Sequence, residues 1–139
     1  MKLRVQNSSI FALAQLDLQT QTAMVRKGLP FSAFIEMSDT LDMPLASLLD
    51  QLQLSNGLSV KRLKSKPYLN LAVGNAVLCA IKALAKAIEV FEDQEATVLW
   101  MKRKTRTLGG TNPISLMDTQ CGYELVLQAL GRIQQGVVA

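Results

Sequence analysis

Few residues in this chain have the side-chain chemistry needed for catalysis or metal binding. The sequence contains no histidine, which removes the most common general base and the most common metal ligand. Its two cysteines, Cys79 and Cys121, are far apart, and neither has a partner at the spacing typical of a metal site. We therefore expect both to be small buried or half-buried side chains in a reducing environment.

Two motifs resemble fragments of active sites, but each has a simpler structural explanation. Asp118 and Glu124 are too far apart along a helix to share one face. Gly109-Gly110-Thr111 resembles part of a phosphate-binding loop, yet the full Gly-x-x-x-x-Gly-Lys-Ser/Thr pattern is missing and no strand precedes it. Asp118 and Thr119 fit better as helix-capping residues. We predict that the protein is not an enzyme and needs no cofactor or metal.

Composition predicts one all-helical unit. The chain has 139 residues, of which 49% are hydrophobic and 5% aromatic, with four prolines. The charge-free run from Pro67 to Ile81 is shorter than the roughly 20 residues of a membrane span. Lys2 and Arg4 precede only a weak apolar patch, unlike a signal peptide. We expect a cytoplasmic protein that does not bind membranes.

Positive charge is concentrated in one segment. The net charge is +4, and residues 58–88 contain basic side chains but no acidic one. The candidate phosphate contacts in this segment are Lys61, Arg62, Lys64 and Lys66. The alternative is an ordinary solvated helix face.

Apolar spacing and capping residues predict several helices in the first half. One helix should run from Ile10 to Lys27 and end at Gly28. The next should be capped by Ser32 and reach Leu41, and another should place Pro44 in its first turn. After Ser55-Asn56-Gly57 comes a short basic helix. Two short helices joined by such a turn are typical of a helix-turn-helix, whose second helix enters the major groove.

The second half should begin with the longest helix, Leu71 to Phe91. Asp93 should cap a helix that reaches about Arg103, and Gly109-Gly110 should adopt positive φ. A single turn should follow Asn112-Pro113, and Asp118-Thr119 should cap a last helix that Gly136 ends. We predict a DNA-binding or dimerisation region over 1–70, and the long helix with a small helical domain over 71–139.

The order of motifs in the last fifty residues resembles the toxin-binding domain of Xre/MbcA/ParS type antitoxins. The motifs are Val90-Phe91-Glu92-Asp93, Trp100, Leu108-Gly109-Gly110, Pro113, Leu116-Met117-Asp118-Thr119, Gly122 and Gly136-Val137. In the first half, Gly28-Leu29-Pro30 and the basic run from Lys61 resemble the family's Xre-like region more weakly. Ala76 and Cys79 stand where family members often carry arginine, and Lys104-Thr105 where Pro-Asn is common.

The resemblance implies a dimeric or larger type II antitoxin that binds and inhibits a RES-type toxin. Such a toxin consumes NAD or ADP-ribosylates its target, and the antitoxin is expected to repress its own operon by binding DNA. The residues implied in toxin binding are Trp100, Leu108, Gly109, Gly110, Pro113, Asp118, Thr119, Gly136, Val137, Val138 and Ala139.

One feature of this assignment has an alternative explanation. Taken alone, Trp100 fits a core position at least as well as an interface. The tail from Gly136 to Ala139 is small and uncharged and is expected to enter the toxin's cleft. Two other functions remain open: a stand-alone helix-turn-helix transcription regulator, and an antitoxin that binds its toxin but has lost DNA binding.

Overall fold

The computed structural model describes residues 9–55 and 58–136. These residues form α-helices and two short 3-10 helices, with no strand among them, which confirms the all-helical prediction. The α-helices are α1 (Ser9–Ala14), α2 (Leu18–Lys27), α3 (Phe31–Thr40), α4 (Leu45–Gln51), α5 (Val60–Lys64), α6 (Leu71–Phe91), α7 (Gln94–Lys102) and α8 (Gln120–Gln134). The 3-10 helices span Arg106–Leu108 and Pro113–Leu116.

The first predicted helix is two helices. Residues 15–17 separate α1 from α2, so the prediction of one helix from Ile10 to Lys27 was wrong. The reason is Asp17, whose carboxylate accepts the Thr20 backbone N–H at 2.6 Å and caps α2. Hydrogen bonding from the Thr20 side chain, together with this backbone bond, lowers the pKa of Asp17. The apolar spacing continues across Asp17, so it does not reveal the break between α1 and α2.

The turn after α2 is fixed by contacts with the segment before α6. Gly28 has φ 112°, and a Cβ there would lie 2.8 Å from the Tyr68 Cβ. Leu69 donates its N–H to the Leu29 carbonyl at 2.7 Å, and Phe31 donates to Pro67 at 3.2 Å. The Gly28-Leu29-Pro30 motif therefore holds two distant parts of the chain together.

Helix α3 begins one residue before the predicted cap. Pro30 occupies the capping position and Ser32 lies inside the helix, so the prediction that Ser32 caps it was wrong. Pro44 likewise precedes α4 rather than filling its first turn. Ser59 caps α5 by accepting the Arg62 N–H at 3.2 Å. The predicted turn residues Asn56 and Gly57 lie outside the described residues.

Helix α6 is the central core helix, with the bounds that the sequence predicts. Asn70 caps it by accepting the Val73 N–H at 2.9 Å. It packs against α1, α2 and α3 from the first half and against α7 and α8 from the second. The helix is long and apolar enough to cross a membrane, but half of its most apolar window is buried within the fold. That burial is what a core helix requires.

The two α-helices after α6 follow the predicted order. Asp93 caps α7 by accepting the Ala96 N–H at 2.9 Å. Thr119 caps α8 through a 3.0 Å bond from the Gly122 N–H, whereas Asp118 is exposed. Gly136 follows the end of α8 with φ 83°. Val137, Val138 and Ala139 lie outside the described residues.

Candidate functional site

A small hairpin-like loop follows α7 and carries the two adjacent glycines. Thr105 donates its N–H to the Thr111 carbonyl at 3.0 Å, and Gly110 donates to Thr105 at 3.0 Å. The Thr105 and Thr111 backbones thereby close the loop at its base. The first 3-10 helix forms one arm, and its last residue, Leu108, is buried.

The glycines are required by backbone conformation rather than by close packing. Gly109 has φ 73° and Gly110 φ 82°, as the sequence predicts, and both residues are exposed. A Cβ at either position would meet nothing within 4 Å. Leu108 anchors the loop to the core, while its tip is presented to solvent.

Trp100 lies in the core of this chain. It is only 7% exposed, and its ring lies 5.7 Å from the Phe91 ring. Pro113 is buried as well. By contrast Leu99, the neighbour of Trp100 in α7, is 63% exposed. The two adjacent residues of α7 therefore face opposite environments.

Two side chains of the second half bind backbone and side-chain groups of the first half. The Asn112 amide donates to the Gln51 side-chain oxygen at 2.8 Å and to the Lys102 carbonyl at 3.2 Å. The Lys102 ammonium donates to the Leu41 carbonyl at 2.9 Å, at the end of α3. Asn112 therefore occupies the position before the second 3-10 helix, as the sequence predicts, but its side chain joins α4 to α7 and does not cap that helix.

Gly122 allows the first turn of α8 to pack closely on the second 3-10 helix. A Cβ at Gly122 would lie 2.1 Å from the Leu116 carbonyl oxygen. Leu116 and Gly122, both part of the motif series, are thus in backbone contact. Thr119 and Asp118 lie at the same junction, with Asp118 exposed.

The basic candidates lie on and after α5. Lys61, Arg62, Lys64 and Lys66 are all exposed, and Leu63 is buried between them. Helix α5 is only five residues long and packs on α4. The side chains that the sequence proposes for DNA therefore share one solvent-facing segment.

A third surface lies between α2, α6 and the start of α8. It is a groove of about 400 Å³ whose lining includes Leu18, Arg26, Leu71, Cys79 and Lys82. Leu18 is 71% exposed and Leu71 is 56% exposed. Burial raises the pKa of the Cys79 thiol, and the charge of Lys82 lowers it by a smaller amount. The Lys82 ammonium also lies 5.2 Å from the centre of the Tyr123 ring.

The structure brings most of the candidate toxin-binding residues into one region. The two 3-10 helices, which carry Leu108 and Pro113, pack on α8, and the second of them also packs on α7, the helix of Trp100. We call this region the junction of α7 and α8, and Asp118 and Thr119 lie at its α8 end. Gly136 follows the far end of α8, so it is separated from this junction by the whole of that helix. No group of three or more His, Cys, Asp or Glu side chains suited to a metal occurs within residues 9–55 and 58–136.

Comparison with known proteins identifies this region. Residues 86–136 match the family described as the antitoxin Xre/MbcA/ParS C-terminal toxin-binding domain. The C-terminal part of the chain is therefore similar to the toxin-binding domain of these antitoxins, and α7, the two 3-10 helices and α8 lie within the matched residues.

Two relatives show how far the similarity extends. One is the antitoxin Xre of Photorhabdus laumondii, which is 35% identical over 60 residues, or 42% of this chain and 40% of that protein. The other is the Prs ADP-ribosylating antitoxin of Sphingobium sp. strain YBL2, 26% identical over 137 residues. This second alignment covers 92% of the chain and 86% of the relative. The similarity to an antitoxin therefore extends into the first half, beyond the matched domain.

Proposed function

We propose that this chain is a cytoplasmic antitoxin that binds and inhibits a RES-type toxin, an enzyme that consumes NAD or ADP-ribosylates its target. The observation that carries the proposal is the match of residues 86–136 to a toxin-binding domain. The relative named Prs ADP-ribosylating antitoxin favours the ADP-ribosylating chemistry for the partner. The antitoxin itself needs neither catalysis nor a cofactor, because it acts by occupying the toxin.

The proposed contact surface combines the exposed loop tip with the exposed side of α7. Gly109 and Gly110 are at the tip, and Leu99 presents an apolar side chain next to the buried Trp100. Trp100, Leu108 and Pro113 support this surface from within, since each is buried. The exposed residues Asp118 and Thr119 are proposed to lie at its border, and the tail from Gly136 to Ala139 is proposed to enter the toxin's cleft.

The inhibition experiment uses the purified product of the neighbouring gene, if that gene encodes a RES-type enzyme. NAD consumption is measured with the full chain and with a chain lacking Val137 to Ala139. We expect full inhibition by the first and loss of inhibition by the second, because these small apolar residues are proposed to occupy the toxin's cleft. Equal inhibition by both chains would move the inhibitory role to the α7 and loop surface. An active enzyme that ignores the full chain would contradict the proposal.

We further propose that the basic segment after α4 contacts the phosphates of operator DNA. The support is the four exposed cations, Lys61, Arg62, Lys64 and Lys66, held by the buried Leu63. Replacing Lys61, Arg62 and Lys64 with alanine should weaken promoter binding and flatten its salt dependence, by about 0.9 in log–log slope per lost phosphate contact. An unchanged affinity and slope would favour the antitoxin that has lost DNA binding.

The homodimer is proposed to form through the exposed leucines of the α2 and α6 groove. Leu18 and Leu71 line the same groove and are the most exposed large apolar side chains near it. A chain with one helix-turn-helix unit binds two half-sites on DNA only as a dimer. A stand-alone regulator without a toxin would share this dimer, and the inhibition experiment separates the two functions.

A further inference from the structure

We propose that the groove between α3 and α7 binds the basic segment of a second copy of this chain, in a head-to-tail contact distinct from the proposed apolar dimer. The groove encloses about 730 Å³, and its lining includes Asp39, Asp42, Asp93, Glu95, Leu99 and Lys102. We call it the acidic groove. The basic segment is residues 61–68, which contain Lys61, Arg62, Lys64, Lys66 and Tyr68.

The polar groups of the acidic groove are mostly hydrogen-bond acceptors. Four carboxylates line it, and the cation that lines it, Lys102, is already bonded to the Leu41 carbonyl at 2.9 Å and the Asp42 carbonyl at 3.4 Å. The Gln94 side-chain oxygen, in the same lining, is buried and has no hydrogen-bond partner among the described residues. Such a set of groups fits an occupant that carries positive charge and several N–H donors.

An apolar side chain stands within the same groove. Leu99 is 63% exposed, although Thr97, Trp100 and Met101 of the same helix are buried. The occupant therefore needs an apolar group beside its cations. A purely polar ligand would leave Leu99 uncovered.

The basic segment has both properties. Its four cations are exposed and no acidic residue occurs within residues 58–88. Tyr68 follows them and is 56% exposed, which supplies a ring to cover Leu99. None of these five residues lines the acidic groove of its own chain, so the complementary surface is offered to another copy.

A contact of this kind joins two different surfaces and does not close on itself. Copies linked in this way form rings or open chains rather than a two-fold dimer. Because the groove is small and the charges are exposed, the contact should be weak and sensitive to salt. The basic segment is then shielded whenever it is bound by a neighbour.

The experiment uses two charge-reversal variants and measures their self-association separately and mixed. The groove variant is Asp39→Lys with Glu95→Lys, and the segment variant is Lys61→Glu with Lys64→Glu. All four positions are exposed. Every protein also carries Leu18→Ser and Leu71→Ser, which removes association through the apolar groove. The chain with these two changes and no charge reversal is the parent chain. Matched controls reverse exposed charges elsewhere, Glu124→Lys with Glu89→Lys and Lys27→Glu with Lys104→Glu.

Sedimentation equilibrium should show that each test variant has lost self-association, whereas the controls associate like the parent chain. An equimolar mixture of the two test variants should regain self-association. The unchanged basic segment of the groove variant can bind the unchanged acidic groove of the segment variant, and the two reversed surfaces also have opposite charges. For the parent chain, raising NaCl from about 50 mM to about 500 mM should weaken association about tenfold. Circular dichroism confirms that all variants are folded.

Three results would overturn the proposal. They are a parent chain that stays monomeric, test variants that associate as well as the controls, and a mixture that remains monomeric. Neither toxin nor DNA is present, so failure here leaves the proposed inhibition and DNA binding to their own experiments.

Discussion

Gly122 shows how one residue type can be dictated by a single backbone contact. The Leu116 carbonyl occupies the space that a side chain would need, so α8 can begin only over a glycine. Gly131 lies further along the same helix, and a Cβ there would meet nothing within 4 Å. The two glycines of α8 therefore have opposite structural consequences.

Replacing Gly122 with alanine should lower the free energy of unfolding by about 3 kcal/mol or more, because the new methyl group meets backbone that cannot rotate away. Gly131→Ala is the matched control and should raise stability by up to about 1 kcal/mol, since alanine favours a helix. Urea denaturation of the two variants measures both changes. Similar stability for both variants would contradict the close contact.

Gly109 differs from Gly122 because only its backbone conformation is constrained. Gly109→Val should cost about 1–2 kcal/mol of stability, because a β-branched residue strongly disfavours positive φ. Gly109→Asn should cost much less, because asparagine tolerates the left-handed region. Both variants are compared by urea denaturation. If they are equally stable, the loop does not need positive φ.

At the level of elements, capping residues and apolar spacing predict α6, α7 and α8 closely. Their signals are local: Asp93 and Thr119 bond to the N–H groups of their own helices. The predicted start of α3 was wrong because the Phe31 N–H bonds to the carbonyl of Pro67, which is distant in sequence. The link from Asn112 to Gln51 was not predictable for the same reason. The motif spacing indicated a toxin-binding region, whereas the exposure of Leu99 required the packed fold.

Helix α7 presents two adjacent residues with opposite environments. Leu99→Ser should weaken toxin binding by about tenfold or more while leaving stability within about 0.5 kcal/mol, since the side chain is 63% exposed. Trp100→Ala should instead destabilise the fold by about 3–5 kcal/mol, because its ring is buried against Phe91.

Thermal denaturation and binding to the purified toxin separate these two effects. Leu127→Ser is unsuitable as a control because that side chain is partly buried, whereas Leu125→Ser on α8 is 49% exposed and provides a match for Leu99→Ser. If Leu99→Ser and Leu125→Ser bind the toxin equally well, the exposed side of α7 is not the specific contact.

At the scale of the whole molecule, residues from both sides of the predicted division between residues 70 and 71 share one hydrophobic core. Helix α6 packs against helices of both halves, and Lys102 and Asn112 add hydrogen bonds across them. Because α6 fills its own core with most of its apolar stripe, that stripe is not available for a dimer. The large apolar side chains left exposed near it are Leu18, Tyr68 and Leu71.

The last prediction concerns the dimer. At about 500 mM NaCl, where exposed charge contacts are screened to within about 4 Å, self-association should depend on apolar contact alone. Under these conditions Leu18→Ser with Leu71→Ser should convert a dimer to a monomer at about 10 µM, without loss of helical content, because both side chains are largely exposed. Ile35→Ser, at 37% exposure on α3, serves as the apolar control and should stay dimeric. Light scattering that finds the unmodified chain monomeric, or the double variant dimeric, would exclude this groove as the interface.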